Sequence, residues 1–334
     1  TLPWHDPLVA VHIPTKRVHT LPMGDFPSDV AFWSHGLALH RESLTLAVVN
    51  HAWKFGGERI EIFELAFESP EAPPTLRYVK SVVDPKLKYG QINSVALLSA
   101  APLRFYATAW IGVDNNAEGM SKFYVPLTLM NGLFGIERCP LLYCSKDGCQ
   151  DTGHWSLGWN GIDFNKDRTQ VAVVSMFIDN AVRVYAINET HPRELTHVRS
   201  IPTLYLMDNI RLVESESDSD TTVWTTAGIT RAMLYLEFEK KVMAGAPKEK
   251  LSRVPAQVQK VTVGTMDSSE KGEPEIRKVN IEEGYKVEVL HSSSGWFNNS
   301  MSSLTVATVS PSGKTMLLGS FCDRKLAICR GPKA

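Results

Sequence analysis

The amino-acid sequence predicts an all-β protein, a β-propeller of four-stranded blades. Three observations predict it: short alternating or β-branched segments run through the chain, helical periodicity is scarce, and one short signature opens a pair of apolar segments five times. A supersecondary unit repeated at intervals of tens of residues is typical of solenoids, propellers and arrays. The signatures are 34–39, 92–97, 159–164, 207–212 and 303–307, and the β-rich runs that follow them are 44–49, 103–108, 171–175, 222–226 and 315–320.

The remaining segments complete the repeats. Further strands are predicted at 8–13, 60–65, 122–125, 182–186, 233–238 and 326–329. Each repeat is therefore expected to supply three strands and to receive a fourth before the next signature, within a single propeller domain over 1–334. Two stretches depart from the pattern. Residues 239–283 predict a polar insertion or a long connection with one or two outer strands, and residues 112–155 predict either a lid or a long connection within a blade.

Composition narrows the range of partners. The net charge is −1 and the basic residues are scattered, so nucleic-acid binding has no electrostatic support. No apolar run reaches the roughly 18 residues that suggest a membrane span. A small molecule is the expected partner.

The cysteines and two sequons favour the secretory pathway or an extracellular location. Cys144 and Cys149 bracket a turn short enough for a disulfide, and Asn188 and Asn298 begin glycosylation acceptor sequences. The chain begins at Thr1, so removal of a signal peptide and a missing segment are both open. Reduced cysteines within a core are the alternative interpretation. The sequence leaves the pairing of Cys139, Cys322 and Cys329 undecided.

Four polar residues recur at the same place in their signatures: Asn93, Asn160, Asp208 and Asn209. In a radial repeat these side chains surround one axis. Their oxygens could bind a hard cation such as calcium, which takes six to eight oxygen ligands. The alternative is that each side chain caps a turn by bonding backbone groups.

The signatures together resemble the paraoxonase/arylesterase family, which is related to the wider group of SMP-30/gluconolactonase-like propellers. The resemblance covers about Ser34 to Cys329 and rests on the joint order of short motifs. These are His35-Gly36-Leu37, Val48-Val49-Asn50-His51, Ile92-Asn93-Ser94-Val95, Phe105-Tyr106-Ala107-Thr108, Asn160-Gly161-Ile162, Met207-Asp208-Asn209-Ile210 and Leu317-Leu318-Gly319-Ser320. The resemblance implies six blades with calcium in a central tunnel, the sixth repeat lying before the sequence. It also implies hydrolysis of lactones and aryl esters.

The same resemblance assigns individual roles. It places Asn93, Asn160, Asp208 and Asn209 among the calcium ligands, His35 as the base that acts on water, and His51 as the supporting histidine. It implies that Cys329 is bridged to a partner outside the chain, on a missing segment or a second polypeptide.

Three departures from the family bear on function. No Glu-Asp pair precedes His35, Ser94 replaces a carboxylate, and Ala109-Trp110 replaces an Asn-Asp pair. The ligand set for calcium is therefore incomplete in this chain.

The changes also suit an alternative function, a metal-independent biosynthetic cyclase of hetero-Diels-Alder type, as in fungal relatives of the family. Such an enzyme would orient a terpenoid or polycyclic intermediate in a pocket formed by Trp110, Trp159 and Ser94. A non-catalytic binding propeller is the third hypothesis.

Overall fold

A computed structural model shows an all-β fold with β-propeller blades. It describes residues 5–51, 58–69, 72–88, 91–110, 134–175, 180–214, 221–230, 234, 237, 241, 253–264, 277–280, 284–294, 301, 304–320 and 326–330. The strands fall into two compact units, one formed by 1–159 with 191–194 and the other by 160–190 with 195–334. In the described part, no helix is both long and apolar enough to span a bilayer.

The first unit contains a hairpin and two blade sheets. Its elements are β1 (Leu8–His12), β2 (Arg17–Leu21), β3 (Met23–Gly24), β4 (Ser34–His40), β5 (Thr45–Asn50), β6 (Arg59–Ala66), β7 (Thr75–Val82), α1 (Pro85–Lys88), β8 (Ile92–Ala100), β9 (Leu103–Ala109), β10 (Cys139–Ser145) and β11 (Gly148–Ser156). The strand orders are β3-β7-β6-β5-β4 and β8-β9-β10-β11. The hairpin β1-β2 supplies Leu8 and Leu21, which pack against Leu46, Val48 and Phe63 of the first sheet.

The second unit contains three sheets. Its strands are β12 (Trp159–Phe164), β13 (Gln170–Ser175), β14 (Ala181–Ile187), β15 (Leu195–Pro202), β16 (Leu206–Val213), β17 (Thr222–Ile229), β18 (Ala256–Val263), β19 (Arg277–Asn280), β20 (Tyr285–Ser293), β21 (Leu304–Val309), β22 (Thr315–Ser320) and β23 (Ala327–Arg330). The strand orders are β12-β13-β14-β15, β16-β17-β18-β20-β19 and β21-β22-β23. Fully buried Trp224 anchors its core, and the indole nitrogen donates to Phe164 O at 2.9 Å.

Each sequence signature forms the first strand of one sheet: β4, β8, β12, β16 and β21. In four of these strands the pairing register shifts within the signature, between Ser34 and Leu37, Ile92 and Ser94, Met207 and Asn209, and Leu304 and Val306. A bulge of this kind bends the strand and redirects a side chain. In four of the five sheets the repeated signature thus coincides with a β-bulge.

The expectation of six blades is wrong, because five blade sheets form in the described residues. Five signatures supply five first strands, and the described residues ahead of the first signature form the β1-β2 hairpin, β3 and an isolated bridge between His5 and Phe32. The described residues of the polar stretch 239–283 form no blade of their own. They contribute buried β18 and edge strand β19 to the sheet that begins with β16.

Most predicted strands are confirmed, with two changes. The segment predicted as a strand over 233–238 is helical at its described residues, Leu234 and Glu237. Within 112–155, the described residues form β10 and most of β11, the outer strands of the second blade sheet. The Cys144–Cys149 disulfide is confirmed and joins these two strands. The predicted strand at 122–125 lies outside the described residues.

Candidate functional site

Two glycines bring neighbouring signatures into backbone contact. A Cβ on Gly36 would lie 2.3 Å from Asn93 O and 2.6 Å from Ser94 Cα. A Cβ on Gly161 would lie 2.5 Å from Asn209 Cα. Any side chain at these positions would clash with backbone atoms, so glycine permits the close approach. Each unit therefore has one tight contact between two signatures.

In the first unit the bulge in β4 places His35 beside His51, just after β5. His35 Nδ1 and His51 Nε2 are 2.7 Å apart, which is a hydrogen-bond distance. His51 is buried, whereas His35 is exposed. The two histidines predicted from the sequence thus form a dyad with one accessible ring.

A third member, Glu58, was not predicted from the sequence. Its Oε1 lies 3.3 Å from His51 Nδ1, an ion-pair distance, and its Oε2 accepts a hydrogen bond from Ile92 N at 2.6 Å. Glu58 is only 1% exposed. The bond to an amide 34 residues away holds this carboxylate in place behind the dyad. No spacing in the sequence indicates that contact.

A buried polar network positions His51. Asn50 accepts a hydrogen bond from Trp33 N at 2.9 Å and donates to Ala31 O and to Glu61 Oε1. His51 N donates to Trp33 O at 2.9 Å. Glu61 is fully buried, and desolvation raises the pKa of its carboxyl. The network fixes the end of β5 against the start of β4, which determines where the dyad forms.

The surroundings of His35 favour its neutral form. Desolvation, followed by repulsion from His51, lowers the pKa of the His35 imidazole well below its ordinary value of 6.5. Water still reaches the exposed ring, but the protein atoms around it remove part of its hydration. At neutral pH, His35 can therefore accept a proton.

The start of β8 carries three buried polar atoms with no hydrogen-bond partner among the described residues: Gln91 Oε1, Asn93 Oδ1 and Ser94 Oγ. Gln91 is 5% exposed, Asn93 4% and Ser94 0%. Buried polar groups are usually hydrogen-bonded. An amide oxygen without a partner fits the prediction that Asn93 is a cation ligand, and Gln91 was not predicted from the sequence.

The predicted ligands of the second unit make other contacts. Asn209 Nδ2 donates to Asp208 Oδ1 at 3.0 Å and to Thr305 O at 2.9 Å. Asn160 is 1% exposed, on β12. The described residues include no group of three or more His, Cys, Asp or Glu side chains able to hold a metal ion. A cation held by the described residues would therefore need amide or backbone oxygens in addition to a carboxylate, and the calcium ligand set stays a prediction.

The other predicted site residues lie in varied surroundings. Trp159 is fully buried, Ser94 N donates to Thr108 Oγ1 at 3.0 Å, and Trp110 N donates to Gln91 O at 2.9 Å. Their assignment to a substrate pocket stays a prediction. Asn188 is exposed, and its Oδ1 accepts hydrogen bonds from Thr190 N and Thr190 Oγ1. Its glycosylation stays a prediction, and Asn298 lies outside the described residues.

The remaining cysteines form no disulfide in the described part of the chain. Cys139 is buried, and its Sγ donates to Leu157 O at 3.4 Å. Cys329 is half-buried, and desolvation raises the pKa of its thiol. Cys322 lies outside the described residues. An external partner for Cys329 stays a prediction.

The fold and the site define the class: an all-β protein with propeller blades and a buried Glu-His pair that supports an accessible histidine.

No protein-family model and no curated protein matches the chain. Among solved structures it is similar to a Bacteroides uniformis protein provisionally named a 6-phosphogluconolactonase, at 9% identity over 98% of this chain and 75% of that chain, with a TM-score of 0.49. A Bacteroides fragilis protein with the same provisional name matches at 10% identity over 98% and 89%, with a TM-score of 0.47. A chain of a nidogen/laminin complex matches at 10% identity over 94% and 86%, with a TM-score of 0.43. Likenesses at this level carry no argument about activity.

Proposed function

We propose that this protein is a hydrolase of lactones or aryl esters in which His35 is the general base. The observation that carries the proposal is the 2.7 Å contact between accessible His35 and buried His51, with Glu58 behind His51. A positioned imidazole that is neutral at the working pH can take a proton from water.

The hydrogen positions follow from the chain of contacts. The Glu58 carboxylate favours a hydrogen on His51 Nδ1, which leaves His51 Nε2 as an acceptor. His35 then donates through its Nδ1 to His51 Nε2, so its Nε2 has a lone pair. This tautomer follows from the environment of each ring nitrogen. It leaves a basic nitrogen on the accessible histidine.

Hydrolysis can proceed from that nitrogen. His35 Nε2 removes a proton from water as the water oxygen bonds to the carbonyl carbon of the lactone or ester. The added charge can pass to His51, because the His35 Nδ1 proton can move to His51 Nε2 and His51 Nδ1 lies beside the Glu58 carboxylate. Collapse of the adduct breaks the carbon–oxygen bond of the ester, and the protonated dyad returns its proton to the departing oxygen. A lactone opens to a single hydroxy acid, and an aryl ester gives an acid and a phenol.

Calcium is part of the proposal. Asn93 is the ligand that the first unit would supply, and its buried Oδ1, which has no partner among the described residues, supports that assignment. Asn160, Asp208 and Asn209 are the ligands predicted in the second unit. When bound, the ion would polarise the substrate carbonyl.

The experiment is hydrolysis of δ-valerolactone and phenyl acetate by wild type and by the variant His35→Gln, followed as proton release in weak buffer. We expect His35→Gln to lower kcat/KM about 100- to 10,000-fold, the usual contribution of a general base. Because His35 is exposed, its thermal midpoint should stay close to that of wild type. His12→Gln is the matched control, since His12 is an exposed strand histidine whose ring bonds to nearby Thr15.

Equal activity in His35→Gln and His12→Gln would reject the role of His35. Wild-type protein that is folded and calcium-saturated yet hydrolyses neither substrate would reject the hydrolase and favour the binding or cyclase hypothesis.

A further inference from the structure

We propose that Gln91 and Glu58, together with Asn93, form an oxygen-only site for a hard divalent cation at the start of β8. Gln91 and Glu58 would be ligands additional to the predicted calcium set. The inference rests on the proposed function through Asn93, which belongs to both ligand sets.

Three buried oxygens at the start of β8 need a partner. Gln91 Oε1, Asn93 Oδ1 and Ser94 Oγ are closed off from solvent and have no hydrogen-bond partner among the described residues. One such atom in a fold needs little explanation, but here three occur within four consecutive residues. Burying a polar group without a partner costs free energy, and a cation bound by Gln91 Oε1 and Asn93 Oδ1 would recover that cost for two of the three atoms.

A buried negative charge lies beside these oxygens. The Glu58 carboxylate is 1% exposed, and its Oε2 accepts a hydrogen bond from Ile92 N, the amide between Gln91 and Asn93. The carboxylate therefore lies against the same three-residue segment that carries the two amide oxygens. Each carboxylate oxygen has more than one lone pair, so Glu58 can contact both His51 and a cation. A buried negative charge beside acceptor oxygens attracts a cation.

The third observation concerns the backbone. Gln91 has a φ of 46°, in the left-handed region that a residue with a side chain seldom adopts. The bonds from Trp110 N to Gln91 O and from Ile92 N to Glu58 Oε2 hold it there. Such conformations are retained where the surrounding structure fixes them, often around ligands. This conformation determines where the Gln91 amide lies.

The donor chemistry selects the ion. Calcium binds carboxylate and amide oxygens at about 2.3 to 2.6 Å and tolerates irregular geometry, whereas zinc prefers nitrogen and sulfur. The three proposed side chains offer only oxygen and a single negative charge. Calcium is therefore the ion expected to bind.

The test uses the full-length protein, stripped with a chelator and titrated with Tb³⁺, which stands in for Ca²⁺ and emits when a nearby tryptophan is excited. Trp110, whose backbone bonds to Gln91, is the expected sensitiser. We expect saturable emission that Ca²⁺ competes away. Trp110→Phe should reduce the emission without weakening the binding.

Two variants remove the proposed ligands while keeping their shape. Gln91→Met and Glu58→Gln should each weaken Tb³⁺ binding at least tenfold. Gln150→Met and Glu64→Gln are matched controls on β11 and β6, because these residues contact Arg193 and Arg77 instead. The controls should stay within twofold of wild type. Gln91→Glu keeps the side-chain length and adds a charge, so it should bind at least threefold more tightly, and it tests the site even if Gln91→Met fails to fold.

Unchanged affinity in Gln91→Met, Gln91→Glu and Glu58→Gln would overturn the inference, as would a wild-type protein that binds no Tb³⁺. Neither result bears on the dyad. If cation binding ignores Gln91 while His35→Gln abolishes hydrolysis, the proposed function stands and the cation site fails. If the ligand variants weaken Tb³⁺ binding but wild-type protein hydrolyses neither δ-valerolactone nor phenyl acetate, the cation site stands and the proposed function fails.

Discussion

The two units use the same backbone contact for different side-chain arrangements. In the first, Gly36 lets β4 approach Asn93 on β8, and in the second, Gly161 lets β12 approach Asn209 on β16. Next to Gly36 stands His35, held by His51. In the second unit, Asn209 is held by Asp208 and by Thr305 O. The glycine contact is therefore a property of the repeated backbone, while the chemistry of each unit depends on the side chains of the neighbouring strands.

The first prediction tests whether the two contacts are equivalent. Gly36→Ala and Gly161→Ala should each lower the free energy of unfolding by about 3 kcal/mol. The new Cβ would clash with backbone atoms, which cannot rotate away as a side chain can. Gly24→Ala is the control, since a Cβ there lies an ordinary 3.5 Å from Leu76 O. Urea unfolding measures all three. A large loss of stability at only one of Gly36 and Gly161 would show that the two contacts are not equivalent.

The second prediction contrasts the asparagines. Asn209→Ala should cost about 1 to 2 kcal/mol, since it removes bonds to Asp208 and Thr305. In chelator, Asn93→Ala should cost less than half as much, because Asn93 Oδ1 has no partner among the described residues. Urea unfolding with and without Ca²⁺ measures both. Equal losses in chelator would show that Asn93 is held as Asn209 is.

The third prediction concerns the pH dependence of the dyad. Because the pKa of His35 is lowered from 6.5, wild-type kcat/KM should persist well below pH 6.5. His51→Gln removes the smaller of the two causes, so the acid limb should move to higher pH by less than the full shift. Since the unfolded chain binds a proton there that folded His35 does not, this group makes stability fall as pH drops below 6.5. An acid limb that stays in place in His51→Gln would contradict the coupling.

The smallest change in stability is expected at Glu61, the buried residue whose carboxylate accepts a hydrogen bond from Asn50 next to the dyad. Because desolvation raises the pKa of Glu61 above its ordinary 4.5, its contribution to stability is full below pH 4.5 and is lost as pH rises through the raised value. Glu61→Gln should flatten that part of the stability profile and be slightly more stable than wild type at pH 7. Unfolding between pH 4.5 and 8 measures this, with exposed Glu64→Gln as the control. If the free energy of unfolding of Glu61→Gln changed with pH as that of wild type does, another group would be responsible for the pH dependence.

The sequence predicted most strands, because apolar alternation and turn residues are local signals. It could not predict that β10 and β11 complete the second blade sheet, since that pairing joins residues far apart in the chain. The segment 233–238 alternates as a strand does, yet Leu234 and Glu237 are helical. Local pattern alone does not decide between these states when tertiary contacts compete.

The site was only partly predictable for the same reason. A regular ladder starting from the Ser34–Asn50 pair would set His35 opposite Val49, and the bulge changes this. Gly36 was the available signal, because a glycine within a strand often marks a bulge. Glu58 and Gln91 had no signal, since their roles depend on one hydrogen bond to Ile92 and on one backbone angle.

By itself, the sequence determined the all-β class, the five signatures and the residue types able to accept protons or bind a cation, because periodicity and side-chain chemistry are properties of short segments. Only the tertiary structure decided that five signatures make five blade sheets, that His35 lies against His51 and Glu58, and that Gln91 and Asn93 bury oxygens without described partners. Those outcomes depend on register and on the approach of separate strands, which a bulge and a glycine determine to within a few ångströms.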